Sequence, residues 1–272
     1  MKPVPLLRAM REGQLSLGSI TTIGSPELLE VFGHCGYNHM IIDHMFTAID
    51  WQLTANMVRA AQAFGVSSLI RVQTYPWGSQ GKDTRLVAEV ARVLGIGASG
   101  AIMSVGSVDE TEACLRVQND AHHRRIWISP DVAEYEAGRG HATDPDDRFI
   151  VVPMLETAEL IEQVDRLVKL EGLKAVSIGI HDICVAVGRP FEVDHPEVWK
   201  LVDKVVAAAT PKGIGTMVNV GYRYVTAEQM VARIGRLWDH GVRTIYLQPP
   251  ETLLQQLWKQ IKAGADDLVS KK

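Results

Sequence analysis

FIVVPMLETAELIEQVDRLVKLEGLKAVSIGIHD, residues 149–182, is the stretch that decides the fold. Two apolar, β-branched runs, Phe149 to Leu155 and Ala175 to Ile180, flank a segment of helical amphipathic character. That order is the signature of two parallel strands joined by a crossover helix. Each run passes straight into titratable residues, Glu156 after the first and His181-Asp182 after the second. Near-continuous apolar strands are expected when both faces of a sheet are covered.

The same alternation continues in both directions. Six further runs read as strands: Leu17 to Ile23, His39 to Asp43, Ser68 to Val72, Gly100 to Val105, Gly215 to Val220 and Thr244 to Gln248. Helix starts between them carry capping chemistry. Ser25-Pro26 sets a hydroxyl before a proline, Ser107 to Glu110 and Thr226 to Gln229 read as capping boxes, and Asp194-His195-Pro196-Glu197 opens another helix. Gly36, Gly95 and Gly241 stand where helices should stop. Eight βα repeats without a break in composition predict one closed (β/α)8 TIM barrel over residues 1–272, preferred to an open doubly wound sheet. An irregular polar excursion at about 119–148 interrupts the pattern, and a last amphipathic helix is expected at about 250–264.

Composition narrows the function classes. The 272 residues are 46% hydrophobic and 22% charged, enough to bury a large core. A net charge of −4 leaves no basic field for nucleic acid. No run approaches the roughly 20 apolar residues of a membrane span, and the N-terminus lacks a signal-peptide core, so a soluble, cytoplasmic protein is expected. Cys35, Cys114 and Cys184 are odd in number and widely spaced, as reduced thiols would be.

In a barrel of this kind, chemistry belongs at the C-terminal ends of the strands. Asp43-His44, Arg71, Glu156 and His181-Asp182 occupy those ends. Glu156 and Asp182 would repel in one mouth unless a cation lay between them, and a hard ion such as Mg2+ or Mn2+ suits two carboxylates with waters completing the sphere. Arg71 offers a planar fork to a carboxylate or enolate oxygen. The set suits a 2-oxo acid bound through its carboxylate and ketone, with the enolate stabilised by metal charge and guanidinium. The remaining histidines weigh less: His122, His123 and His141 fall in the irregular excursion, and His34, His39, His195 and His240 near helix ends or strand starts. Tyr75 to Lys82 lacks phosphate-loop spacing and reads as an ordinary loop.

These residues, with Leu17-Gly18, Pro26-Glu27-Leu28-Leu29, Ile41-Ile42-Asp43, Ile70-Arg71-Val72, Pro153-Met154-Leu155-Glu156-Thr157 and Ile178-Gly179-Ile180-His181-Asp182-Ile183, resemble the HpcH/HpaI class II pyruvate aldolases. The resemblance implies a metal-dependent (β/α)8 lyase that cleaves or forms 4-hydroxy-2-oxo acids through a pyruvate enolate, in the setting of aromatic-compound catabolism. It implies Glu156 and Asp182 as ligands of Mg2+ or Mn2+, with Co2+ as a substitute. Arg71 would contact the substrate carbonyl, the backbone from Gly179 to Asp182 with His181 would hold the carboxylate, and the partners would be a 2-oxo acid, an aldehyde and other copies of the chain in a hexamer.

Two departures from that family stand out. After the aspartate of the second strand the family carries an acidic residue and then a histidine, whereas this chain reads Asp43-His44-Met45-Phe46-Thr47, with Phe46 in the histidine's place. Met154 stands where the family has glutamine. Either His44 or His181 then supplies the proton transfer, with Asp43 and His44 ordering the water or base, since imidazole titrates in the right range. Alternatively no base is needed, because decarboxylation of a β-keto acid such as oxaloacetate gives the enolate directly; or the barrel binds a ligand without turnover. A phosphosugar enzyme is disfavoured, because neither Val218-Asn219-Val220-Gly221 nor Gln248-Pro249-Pro250 supplies a glycine-rich phosphate grip.

Overall fold

The computed structural model describes residues 5–72, 84–119, 149–224 and 226–270. Apart from Asn119, the expected excursion lies outside the described residues, as does the Tyr75 to Lys82 loop.

Eight strands close a ring in sequence order, β1 (Ser16–Thr21), β2 (His39–Asp43), β3 (Ser67–Arg71), β4 (Gly100–Ser104), β5 (Ile150–Leu155), β6 (Ala175–Ile178), β7 (Gly215–Asn219) and β8 (Thr244–Leu247). All pairings are parallel, and β8 returns to β1 with Thr244 opposite Ser16. The chain therefore folds as the (β/α)8 TIM barrel that the alternation predicts. Between the strands run α2 (Pro26–His34), α3 (Trp51–Ala63), α4 (Thr84–Gly95), α5 (Val108–Asn119), the short pair α6 (Ala158–Glu162) and α7 (Val164–Leu167), α8 (Ile180–Ala186), α9 (Pro196–Ala209) and α10 (Ala227–Asp239). Strand ends fall within two residues of the apolar runs; β6 stops at Ile178 and the chain turns into α8 at Ile180.

The capping signals act as their chemistry requires. Ser25 accepts the Leu28 N–H, Thr157 that of Leu160, and Thr226 with Gln229 completes a capping box. His195 caps α9 through Nδ1, accepting the Glu197 N–H at 3.2 Å. Ser107 accepts the Glu110 N–H, while the Glu110 carboxylate reaches the Gly106 N–H at 2.7 Å, one residue before the box position.

Two apolar cores follow from the alternation of strand side chains. The outward residues pack with the helices around Met40, Ile42, Ile70, Met103 and Val218. The inward residues Ile20, Ile41, Leu69, Ile102, Ile150, Val152, Met154, Ala175, Met217 and Tyr246 fill the interior. A helix that the sequence pattern does not announce, α1 (Pro5–Arg11), closes the bottom: Leu6 and Leu7 join the inner cluster, and the Leu6 N–H donates to Ser67 Oγ at 3.0 Å. With seven residues it shows too few turns for a periodicity to emerge.

The last helix is longer than expected. α11 (Pro250–Ser270) runs six residues past Gly264, and Lys262 pairs across that glycine with Asp266 one turn on, at 2.5 Å. From Leu257 to Val269 every residue is exposed, including Leu257, Trp258, Ile261, Leu268 and Val269. No helix among the described residues is long and apolar enough to cross a membrane.

Replacing Leu6 by Ala removes the plug's fully buried side chain. Urea unfolding should show a loss of about 2–5 kcal/mol, the range for a leucine truncated in a rigid core.

Candidate active site

Parity along the strands builds the site. Two residues beyond the topmost apolar side chain of the interior, each strand from β2 to β8 presents a polar one to the same space: Asp43 after Ile41, Arg71 after Leu69, Ser104 after Ile102, Glu156 after Met154, Ser177 after Ala175, Asn219 after Met217 and Gln248 after Tyr246. The barrel thus carries apolar layers below a polar layer at its C-terminal mouth, where enzymes of this architecture place their chemistry.

Asp43 and Arg71 are direct neighbours in the β2–β3 register. Their side chains form a two-pronged ion pair, Arg71 Nε to Asp43 Oδ1 at 2.9 Å and an Nη to Oδ2 at 2.6 Å. Asp43 is 1% exposed and Arg71 18%. Burial disfavours the charge on Arg71, but the hydrogen bonds and charge of Asp43 outweigh it and the guanidinium is held charged. Asp43 Oδ1 also accepts the Met45 N–H at 2.8 Å. Both oxygens of Asp43 thus accept from the guanidinium, and Oδ1 also ties down the adjoining turn.

Glu156 and Asp182 meet across the β5–β6 side. Gly179 makes this encounter feasible, because a Cβ there would lie 2.4 Å from Glu156 Cγ. The same crowding explains why β6 ends two residues before its apolar run does: the chain turns at Gly179, and His181 and Asp182 stand on the first turn of α8 and not on a strand. Burial pushes the Glu156 carboxyl up to about 7; the Ser104 hydroxyl opposes this and the Asp182 charge adds to it. Burial also raises Asp182. Glu156 Oε2 is buried without a hydrogen-bond partner, a costly state for a carboxylate oxygen unless another group joins it. Two crowded carboxylates with an orphaned oxygen fit a hard divalent cation. Among the described residues no cluster of three or more His, Cys, Asp or Glu has metal-holding geometry, so such an ion would draw its other ligands from water or substrate.

The two candidate histidines are both engaged. His44 Nε2 lies 2.6 Å from Thr54 Oγ1, whose own hydrogen goes to Asp50 O, so His44 is the donor and Nδ1 carries the lone pair. Its ring lies 4.4 Å from that of Trp51, and burial lowers its pKa against the pull of Asp43 and Asp50. His181 Nε2 accepts the Tyr222 N–H at 3.3 Å, and burial with the Arg233 charge takes its pKa down to about 4. Phe46 stands 71% exposed at the rim, with the Arg71 guanidinium 5.1 Å from its ring centre.

The residue-by-residue reading of the sequence misses Ser104, Asn219, Gln248 and Tyr222. The first three lie within apolar runs that it identifies as strands, and the signal that finds them is their parity with the inward residue before. Tyr222 follows β7 in a loop, where periodicity says nothing.

Comparison with known proteins agrees with this architecture. The hydroxypyruvate/pyruvate aldolase of Sagittula stellata is 23% identical over 193 residues, 70% of this chain and 72% of that one. The 2-keto-3-deoxy-L-rhamnonate aldolase of Salmonella gallinarum is 22% identical, covering 74% and 73%. The crystal structure of an HpcH/HpaI aldolase from Desulfitobacterium hafniense superposes with a TM-score of 0.76 at 21% identity over 95% of both chains, which supports the fold. The family model for HpcH/HpaI aldolase/citrate lyase matches residues 53–250, and on that match, spanning well over half its length, the chain belongs to this family of aldolase and lyase enzymes.

Proposed function

We propose that the protein is a divalent-metal-dependent carbon–carbon lyase that cleaves or forms a 4-hydroxy-2-oxo acid through a pyruvate-type enolate. The observation that carries this reading is the pairing of the buried Glu156 with Asp182 at the mouth beside Arg71, with Glu156 Oε2 lacking a partner. Glu156 and Asp182 would hold Mg2+ or Mn2+, with Co2+ as a substitute. When bound, such an ion supplies positive charge near the 2-oxo acid's carboxylate and ketone as negative charge develops on the ketone oxygen.

Arg71 then stabilises that oxygen through whichever guanidinium hydrogens Asp43 does not use, and Asp43 fixes the plane of the fork. Gly179 leaves room for Glu156, and the start of α8 with His181 flanks the substrate carboxylate. A decarboxylase of a β-keto acid such as oxaloacetate is the second reading. It is favoured by Phe46 standing over Arg71 and by the lone pair of His181 Nε2 being taken by a backbone N–H, since decarboxylation, unlike aldol cleavage, has no C4 hydroxyl to deprotonate. Other copies of the chain are proposed as partners, in a hexamer by resemblance, with the apolar exposed length of α11 in support.

Pyruvate release from a panel of 4-hydroxy-2-oxo acids and from oxaloacetate, with Mg2+ or Mn2+ and after chelation, separates these readings. Metal-dependent cleavage of the hydroxy acids is the expected result. Turnover of oxaloacetate alone would select the decarboxylase, and no metal-dependent product from either would leave a barrel that only binds.

Glu156 ties the site to pH. Its folded pKa of about 7 lies above the ordinary 4.5, so ionising it weakens the metal-free fold progressively between those values and no further above. Mn2+ affinity, measured calorimetrically, should tighten up to about tenfold per pH unit below about 7 and flatten above. In Glu156→Gln the slope and most of the affinity should vanish; a variant that keeps both would remove Glu156 from the metal site. Arg71→Lys exchanges a planar fork for a point charge, and kcat/KM should fall about a hundredfold with the fold intact by circular dichroism. For α11, sedimentation of Trp258→Asp/Ile261→Asp should show a smaller assembly than the parent chain; an unchanged assembly would exclude this helix from the contacts.

A further inference from the structure

Tyr222 is a half-exposed tyrosine, 48% accessible, in the loop after β7, yet the loop that carries it is pinned from every side. Gly221 adopts φ 97°, a conformation that favours glycine. Its N–H donates to Asn219 Oδ1 at 2.8 Å, and its carbonyl accepts from Gln248 Nε2 at 3.2 Å. Gln248 Nε2 donates to the Tyr224 carbonyl as well. The Tyr224 hydroxyl donates to Asp194, which also pairs with Arg233 and, at 3.0 Å, with Arg236.

Arg233 is wholly buried, with its guanidinium 4.4 Å from the Trp199 ring centre and 5.8 Å from that of Tyr224. Burying a guanidinium costs free energy that its partners only partly return. A device of that kind under an exposed loop asks what the loop must hold still.

What it holds is the Tyr222 phenol. The Tyr222 N–H is fixed on His181 Nε2, and the two rings lie 4.4 Å apart. The phenol is close enough to Arg71, Asp43, Asp182 and Glu251 for all four charges to act on it, so it faces the mouth from the side opposite β3. Burial, with the three carboxylates, holds its pKa above the ordinary value, and it is a neutral hydroxyl with a hydrogen to donate. Glu156 is buried and Arg71 is 18% exposed, whereas Asp182, Tyr222 and Phe46 are exposed at the rim. A 2-oxo acid anchored by C1 and C2 among the deep groups therefore directs C4 outward, to the level of this hydroxyl.

We propose that Tyr222 is a further catalytic residue, whose hydroxyl donates a hydrogen bond to the C4 oxygen of the substrate, the atom that alternates between hydroxyl and aldehyde carbonyl. This rests on the reading of Glu156, Asp182 and Arg71 as the 2-oxo acid site. The phenol keeps its proton throughout. In cleavage the C4 hydroxyl loses its own proton to water, the C3–C4 bond breaks, its electron pair passes to the pyruvate enolate, and C4=O forms under the Tyr222 hydrogen bond. The enolate then regains one proton at C3 from water. Asp194, Arg233 and Gln248 act through the loop and are positioning residues.

Tyr222→Phe tests this, because it removes one oxygen and leaves the ring on His181. Loss of one such donor costs about 10²–10³-fold, so kcat/KM for aldol cleavage and for condensation should both fall by about a hundredfold. Pyruvate affinity with Mg2+, a ligand that has no C4, should change by less than about threefold, a difference of under 1 kcal/mol. Unchanged aldol rates would overturn the proposal. So would a loss of pyruvate affinity, which would place the hydroxyl at C1 and C2 or in the fold. A parent chain that binds pyruvate with Mg2+ and exchanges its methyl protons but cleaves no hydroxy acid overturns the Tyr222 role alone; one that does neither overturns the 2-oxo acid site itself.

Discussion

Closure of eight parallel strands imposes one constraint from which the rest follows: every second residue of every strand must share a single interior with its counterparts from the other seven. Below the mouth that space is satisfied by Ile20, Ile41, Leu69, Ile102, Ile150, Val152, Met154, Ala175, Met217 and Tyr246, whose side chains need no partners. One step higher the same geometry gathers Asp43, Arg71, Ser104, Glu156, Ser177, Asn219 and Gln248, which do need them. The apolar layers thus act as a rigid floor of low polarity, and the charges above it are stronger for standing on it.

The mouth resolves its charges unequally. On the β2–β3 side, opposite charges sit in register and settle into a two-pronged pair that leaves Arg71 charged and fixed. On the β5–β6 side, like charges face each other, and Glu156 holds its proton to about pH 7. A half that is complete adjoins a half that calls for an added positive charge. In the proposed reading the complete half orients a group toward substrate, and the incomplete half would supply the affinity for an added cation.

The fold was legible because the apolar runs recur eight times and the interval from Phe149 to Asp182 contains a whole βαβ unit. Asp43, Arg71, Glu156 and Asp182 were legible because each interrupts or ends an apolar run with a charge. What escaped did so for physical reasons. α1 is too short to show a period. The end of β6 depends on the room Glu156 needs beside Gly179, a contact between residues 23 positions apart. The engagement of His181 depends on a backbone N–H that comes from residue 222. Such facts belong to tertiary contacts, and no local pattern encodes them.

The seating of α1 also bears on the order in which the molecule is completed. Leu6 and Leu7 share a cluster with side chains from β1 through β8, and Met10 lies against Gly215 at the start of β7. That environment exists only once the ring has closed. α1 therefore finds its seat only after β8 has paired with β1. A helix that docks last works as a latch on barrel closure, and amide exchange in α1 reports whether a given molecule has finished folding.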